Sequence, residues 1–257
     1  MEDLDQLYNF DEYDNPTLYD KEHSNYQRDL PLLMKWAKRQ GGPVMDLACG
    51  TGRATIPLAR EGYPITGVDV HQGMLDVAKQ KTTSEDKITW ILGDCSKLNL
   101  SIKVDFIFTV GNSFQHFLTN GAQDGLLDSV RRHLNEGGVF IFGTRFPNAY
   151  ELLNEPEEEF EYSYENEASG QMVDVYHLSR YDALEQVQYN TTKRKYRNQQ
   201  GKIVKEDHAH ITLRFVFPRE MKRLLERHGL TILHTYGNWE EDPLTATSHE
   251  MIYVCQK

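Results

Sequence analysis

The residues whose types and spacing point to chemistry are Gly50, Gly52 and Asp69. The two glycines sit in Val44-Met45-Asp46-Leu47-Ala48-Cys49-Gly50-Thr51-Gly52-Arg53, directly after a short apolar run. With no Cβ, they let backbone lie against a ligand. Asp69 closes a second apolar run, Ile65-Thr66-Gly67-Val68. A glycine-rich turn after one strand and an acid ending the next form a nucleoside-binding pattern, because the carboxylate accepts hydrogen bonds from vicinal ribose hydroxyls. Either glycine alone would fit an ordinary strand-turn-helix connection. Their pairing with a correctly spaced Asp69 favours the ligand site.

The elements that must position these residues follow from periodicity. Val44 to Leu47 reads as a buried strand and Ala54 to Glu61 as a helix. Asp29 is placed to cap a helix with Pro31 in its first turn; Leu32, Leu33, Trp36 and Ala37 share one face, and Gly41-Gly42 ends it. Met74, Leu75 and Ala78 follow helical spacing, and Ile88 to Leu92 reads as a third strand before Gly93-Asp94-Cys95. Met74 suits the core or a purine face, and Asp94 could accept from an adenine amino group. A fourth strand, Val104 to Val110, precedes Gly111-Asn112-Ser113-Phe114-Gln115-His116. A helical stripe (Leu126, Leu127, Val130, Leu134) then leads to a fifth strand, Val139 to Gly143. Strand and helix alternating over 41–143 predict an α/β fold, Rossmann-like and doubly wound, with ligands at the carboxyl ends of the strands.

The pattern changes near Pro147. An acidic run, Glu155 to Glu167, precedes β-rich sequence from Gln171 to Phe217 with a turn at Asn198 to Gly201. Lys193, Arg194, Lys195, Arg197, Lys202 and Lys205 cluster near that turn. They read as charge protecting an edge strand, or else as a dock for an anionic substrate or partner. A helix marked by Met221, Leu224 and Leu225 and two strands, Leu230 to Tyr236 and Met251 to Cys255, close the chain. The expected domains are 1–40, an N-terminal lid and helix; 41–149, a nucleoside-binding core; 150–217, an antiparallel β insertion over the site; and 218–257, a helix and strand pair completing the core sheet. The lid would bring Tyr8, Phe10, Tyr13 and Tyr19 toward the ligand, although a partly ordered tail fits equally well.

Composition narrows the function classes. At 257 residues the chain can bury one large core, and a formal net charge of -11 disfavours a nucleic-acid backbone as partner. Mean hydropathy is -0.63, and no apolar run approaches the ~20 residues that span a bilayer. The acidic N-terminus is unlike a signal peptide. Cys49, Cys95 and Cys255 are scattered with no C-x-x-C, which argues against structural zinc or another metal and for a reducing, cytoplasmic setting. Homo-oligomerisation stays open.

The dinucleotide frame G-x-G-x-x-G fails here, since it reads Ala48, Gly50, Arg53, and the chain has no G-K-[ST] phosphate loop. The stretch Asp46-Leu47-Ala48-Cys49-Gly50-Thr51-Gly52 instead resembles motif I of the class I S-adenosylmethionine (SAM) methyltransferases. With Val68-Asp69, Met74-Leu75 and the 111–116 stretch, the chain is similar to glycine N-methyltransferases, and its β insertion is similar to that of amino-sugar N,N-dimethyltransferases. The resemblance implies a mostly parallel seven-stranded sheet with an antiparallel C-terminal hairpin and a β-rich insertion after strand five. It implies SAM as cofactor and S-adenosylhomocysteine as product. Asp46, Ala48, Gly50, Gly52, Asp69, Met74, Asp94 and Cys95 would form the cofactor site. Asn112, His116, Arg145 and Tyr19 would form the acceptor site, with Arg145 gripping a carboxylate and His116 either a proton acceptor or a structural imidazole. Tyr162, Tyr164 and Tyr189 are further candidates. The acceptor implied is a small-molecule amine; an O- or C-methyltransferase and a non-catalytic SAM-binding regulator are the alternatives.

Overall fold

The computed structural model describes residues 11–153, 156–166 and 169–257, so Tyr8, Phe10, Glu155 and Glu167 lie outside the described residues. The chain forms two compact units. One comprises Tyr13–Asn148 and Phe215–Lys257; the other is built on Ala149–Arg214 together with residues up to Glu12.

The larger unit begins with α1 (Pro16–His23) and α2 (Leu30–Gln40), followed by β1 (Val44–Leu47), α3 (Thr55–Arg60), β2 (Ile65–Asp69), α4 (Gln72–Gln80), β3 (Ile88–Leu92), β4 (Val104–Thr109), α5 (Asn120–His133) and β5 (Leu134–Arg145). It closes with α7 (Pro218–Arg227), β10 (Thr231–Tyr236) and β11 (Glu250–Gln256), after the elements of the smaller unit. The seven strands run in the order β10-β11-β5-β4-β1-β2-β3. β1 to β5 pair in parallel, and β11 is antiparallel to both β5 and β10. This is the expected seven-stranded architecture with its C-terminal hairpin.

Period-two alternation along the strands divides the core between two faces. Phe106, Phe108, Val139, Ile141, Ile252 and Val254 pack with Leu33 and Trp36 of α2 and Leu58 of α3. Ile107, Phe140, Phe142, Met251 and Tyr253 pack on the other side with Leu126 and Val130 of α5 and Met221 and Leu225 of α7. Helix–strand alternation is incomplete in one place: between β3 and β4 there is only a 3-10 turn, Cys95–Lys97, and no α-helix.

Asp29 departs from expectation. It precedes α2, but its side chain makes no capping bond; its φ and ψ are already helical, and its carboxylate is committed to Arg53. Gly41 does end α2, at φ +72°.

The smaller unit contains α6 (Ala149–Leu153) and a four-stranded antiparallel sheet, β6 (Glu159–Asn166), β7 (Gln171–Asp182), β8 (Val187–Arg197) and β9 (Ile203–Arg214), in that spatial order. β6 falls in the acidic run, where periodicity gave no strand. Lys193, Arg194, Lys195 and Arg197 do not protect an edge, because β8 is internal to the sheet; Lys205 does lie on an edge strand, β9. Its charges are answered locally: Lys193 and Lys195 by Glu158, Arg197 by Asp174, Arg194 by Glu12 and Lys205 by Asp207. In register, Tyr162 and Tyr164 stand opposite Val175 and Val173, whereas Tyr189 stands opposite Arg180. Val173 and Val175 share one face of β7 and Arg180 points to the other, so the three tyrosines cannot line a single pocket on this sheet.

Candidate active site

The site is assembled at the carboxyl edge of β1, β2, β4 and β5. β1 runs into the loop of Ala48 to Gly52, and three of its residues take left-handed backbone: Ala48 at φ 57°, Gly50 at 54° and Gly52 at 80°. Ala48 does so with a Cβ, a strained conformation of the kind concentrated at functional sites. The two glycines are small for different reasons. A Cβ on Gly50 would lie 3.4 Å from Met74 Cε, whereas one on Gly52 would lie 2.8 Å from Trp90 and 3.1 Å from Ile56. Gly52 is therefore fixed by packing as well as by its φ, and Gly50 is the position with room beside it.

Asp69 holds this loop. Its Oδ2 accepts from Gly50 N–H at 2.7 Å and its Oδ1 from His71 N–H at 2.8 Å, so the end of β2 is tied to the turn after β1. Burial pushes its carboxyl above the usual range, against the lowering effect of those backbone donors. Asp46 is fully buried. Its Oδ2 accepts from Thr55 Oγ1 at 2.6 Å, and its Oδ1 has no partner. Desolvation pushes this carboxyl up to about 8, with the Thr55 hydroxyl and Arg53 acting in the opposite direction.

On the other predicted cofactor positions, Met74 is buried beside Gly50. Asp94 caps the 3-10 turn: Oδ1 accepts from Ser96 N–H at 2.9 Å and Ser96 Oγ at 2.6 Å, and Oδ2 meets Lys97 at 3.2 Å. Its carboxyl is held below the usual range; desolvation opposes, and the Ser96 and Lys97 hydrogen bonds prevail. Cys95 is a core residue, and burial pushes its thiol up to about 12.

The acceptor candidates converge in part. Asn112 takes φ 57° at the start of the Ser113–His116 turn after β4, a second non-glycine left-handed residue at this edge. Tyr13 Oη lies 2.9 Å from His116 Nε2. The Tyr13 ring meets His116 at 5.7 Å and Tyr19 at 5.3 Å, and Tyr19 continues to His23 at 4.4 Å. Burial pushes His116 down to about 4, which keeps its imidazole neutral at physiological pH. Arg145, the last residue of β5, donates its backbone N–H to Gln115 Oε1 at 3.4 Å, and its guanidinium stands 6.0 Å from the Phe215 ring. Tyr13, His116 and Tyr19 thus form one chain of contacts, while Arg145 is reached through Gln115.

Residues 44–138 match the family described as Methyltransferase domain. That stretch is similar to a methyltransferase domain. It is 30% identical to a Bacillus subtilis (strain 168) protein named as a methyltransferase, over 112 residues, 42% of this chain and 45% of that one; the chain spans about half the length of that relative. A Geobacillus sp. (strain WCH70) protein, also named as a methyltransferase, is 24% identical over 97% of both chains. Among solved structures, a SAM-dependent methyltransferase from Clostridium acetobutylicum ATCC 824 superposes with a TM-score of 0.76 at 21% identity, covering 93% of this chain and 96% of that one. A sugar N-methyltransferase from Streptoalloteichus sp ATCC 53650 gives 0.72 at 18% identity, covering 94% and 92%. These structures share the fold.

The residues at this edge are compatible with SAM. An unpaired buried Asp46 Oδ1, the open side of Gly50 and the Asp69 carboxylate are suited respectively to polar, close-packed and ribose contacts. Sequence reasoning did not single out two exposed apolar residues at this edge. Val70 is 51% exposed and Leu92 is 54% exposed, large apolar side chains left uncovered around the carboxyl end of β2 and β3. Apolar residues that run past a strand's end into solvent are the signal that could have found them, since ligand pockets are lined largely by apolar side chains. Among the described residues no group of His, Cys, Asp and Glu could hold a metal, and no helix is long and apolar enough to cross a membrane.

Proposed function

We propose that the protein transfers a methyl group from SAM to the nitrogen of a small-molecule amine. When bound, SAM supplies a sulfonium-activated methyl that a lone pair displaces in line. Asp69 would hold the ribose hydroxyls, the Gly50 backbone would lie along the cofactor, and Val70 and Leu92 would flank the adenine.

The observation that carries the choice of nitrogen is Tyr13 Oη at 2.9 Å from a His116 whose basicity burial suppresses to about 4. An imidazole so weak cannot ionise an alcohol or phenol, which would need a strong general base. An amine requires only that its neutral form be bound and oriented. Tyr13 and His116 can exchange hydrogen bonds with an N–H and direct its lone pair, and alignment of this kind accounts for the largest share of such catalysis, ~7–11 kcal/mol. The sugar N-methyltransferase whose fold the chain shares over both units supports the same reading. Arg145, at the same edge, would orient an acceptor bearing a carboxylate or other anion through its two-pronged fork. Tyr19 and Asn112 would wall the acceptor pocket.

The test is product mass and connectivity. With SAM and a panel of matched amines, alcohols and phenols, methyl should appear on nitrogen with one S-adenosylhomocysteine formed per methyl. Methyl on oxygen or carbon only would overturn the proposal, as would cofactor turnover with no methylated product across the panel.

A further inference from the structure

We propose that the groove between α5 and α7 is a second small-molecule site, one that takes a diphosphate-bearing ligand. The cavity has a volume of about 620 Å³, within the range of small-molecule sites. Asn120, Gln123 and Asp124 of α5 line it with Arg219, Arg223 and Arg227 of α7. None of the residues assigned above to cofactor or acceptor lines it.

The arginines recur every fourth residue, so one guanidinium projects from each turn of the same helix face. Like charges at that spacing destabilise a helix unless something answers them. Elsewhere on α7 the chain does answer: Lys222 is paired with Glu226 at 3.8 Å. Arg227 likewise meets Asp124 at 3.6 Å. Arg219 and Arg223 have no carboxylate partner among the described residues. The two acids at the groove are engaged elsewhere. Asp124 Oδ1 lies 2.9 Å from His228 Nε2, and Glu220 accepts from Phe217 N–H at 3.4 Å. Two exposed, unanswered cations therefore face one cavity in a chain whose formal net charge is -11.

The remaining features also favour an anion. Asn120 is the first residue of α5 and Arg219 the second of α7, so the positive ends of a 14-residue and a 10-residue helix both lie at the groove. Arg219 and Arg223 are separated by about 6 Å along the helix axis. Each planar fork can take two oxygens of one phosphoryl group, so the pair suits two linked phosphoryl groups.

The experiment uses inorganic pyrophosphate as probe and the full chain saturated with S-adenosylhomocysteine, so that the cofactor pocket is closed to it. Calorimetry at fixed ionic strength should give a Kd at or below about millimolar, at least about tenfold weaker in the double variant Arg219→Gln/Arg223→Gln. The charge-matched variant Lys38→Gln/Lys222→Gln should bind as the parent does. Side-chain Nε resonances of Arg219 and Arg223 in the parent protein should shift on titration, which tests the site without relying on a variant. Citrate should bind more weakly than pyrophosphate. The proposal is overturned by absence of binding, by equal binding to the arginine variant, by equal loss in the lysine variant, by unmoved arginine resonances, or by citrate binding as tightly.

Discussion

The guanidinium of Arg53 and the carboxylate of Asp29 meet in a two-pronged ion pair, Nη1 to Oδ1 at 2.8 Å and Nη2 to Oδ2 at 2.5 Å. Asp29 is fully buried, and Nη1 of Arg53 also reaches the Tyr26 carbonyl at 2.7 Å. The pair fastens the segment before α2 to the loop that follows β1. A parallel clasp joins α1 to the same loop, where Thr51 Oγ1 donates to Asp20 Oδ1 at 2.5 Å and Lys81 reaches the same oxygen at 2.6 Å. Removing one partner of a buried pair leaves an uncompensated charge. Asp29→Ala should therefore cost about 3 kcal/mol, the lower end for such losses because Arg53 retains some exposure. Asp29→Leu combined with Arg53→Met should recover most of it. Denaturant midpoints check both; a recovery no better than the single variant would show that the pair is not the source of the loss.

Asp46 makes stability depend on pH. Its folded-state value of about 8 lies above the ordinary 3.8, so between those values the folded state binds more protons than the unfolded one. Stability from this group is thus greatest at the acid end and falls as pH rises toward about 8, with a slope of at most about 1.4 kcal/mol per unit. Asp46→Asn keeps an acceptor for Thr55 Oγ1 but cannot ionise. Its stability relative to the parent should rise steadily across that window in the cofactor-free protein. Parallel curves for the two proteins would contradict the assignment.

Much of this arrangement was legible in the sequence, because strand–turn–helix periodicity and the placing of Gly50, Gly52 and Asp69 are local features. The parallel strands and the loop after β1 followed from them, and the antiparallel hairpin from the family resemblance. What escaped was long-range. Arg53 read only as a misplaced residue in a glycine frame, since its partner Asp29 is 24 residues earlier. Tyr13 was one of several N-terminal tyrosines until its contact with His116, 103 residues on, set it apart. The basic cluster on β8 misled for the same reason: strand order cannot be read from charge, and an internal strand can carry lysines when Glu158 answers them.

Tyr13→Phe removes one hydroxyl from the pair with His116. Acceptor turnover should fall by about 2- to 13-fold, the range for a net hydrogen bond of 0.5–1.5 kcal/mol, with S-adenosylhomocysteine affinity unchanged. The acid limb due to His116 should lie at about 4 and not near 6.5. Steady-state kinetics across pH give both results, and a His116-dependent limb near 6.5 would contradict the half-buried, neutral imidazole.

Arg145→Lys keeps the charge and loses the fork. With an anionic amine as acceptor, kcat/KM should drop steeply while cofactor affinity and Tm hold. If instead Tm falls and activity tracks the folded fraction, Arg145 is a structural residue.

Isothermal titration with S-adenosylhomocysteine shows whether the edge built by Gly50 and Asp69 binds a SAM-type nucleoside. The parent protein should bind it more tightly than NAD, and a folded Asp69→Ala variant should bind ~10- to 150-fold more weakly, the equivalent of losing ~1.5–3 kcal/mol of charged hydrogen bonding. Tighter binding of NAD than of S-adenosylhomocysteine, or an Asp69→Ala variant with the parent's Kd, would contradict it.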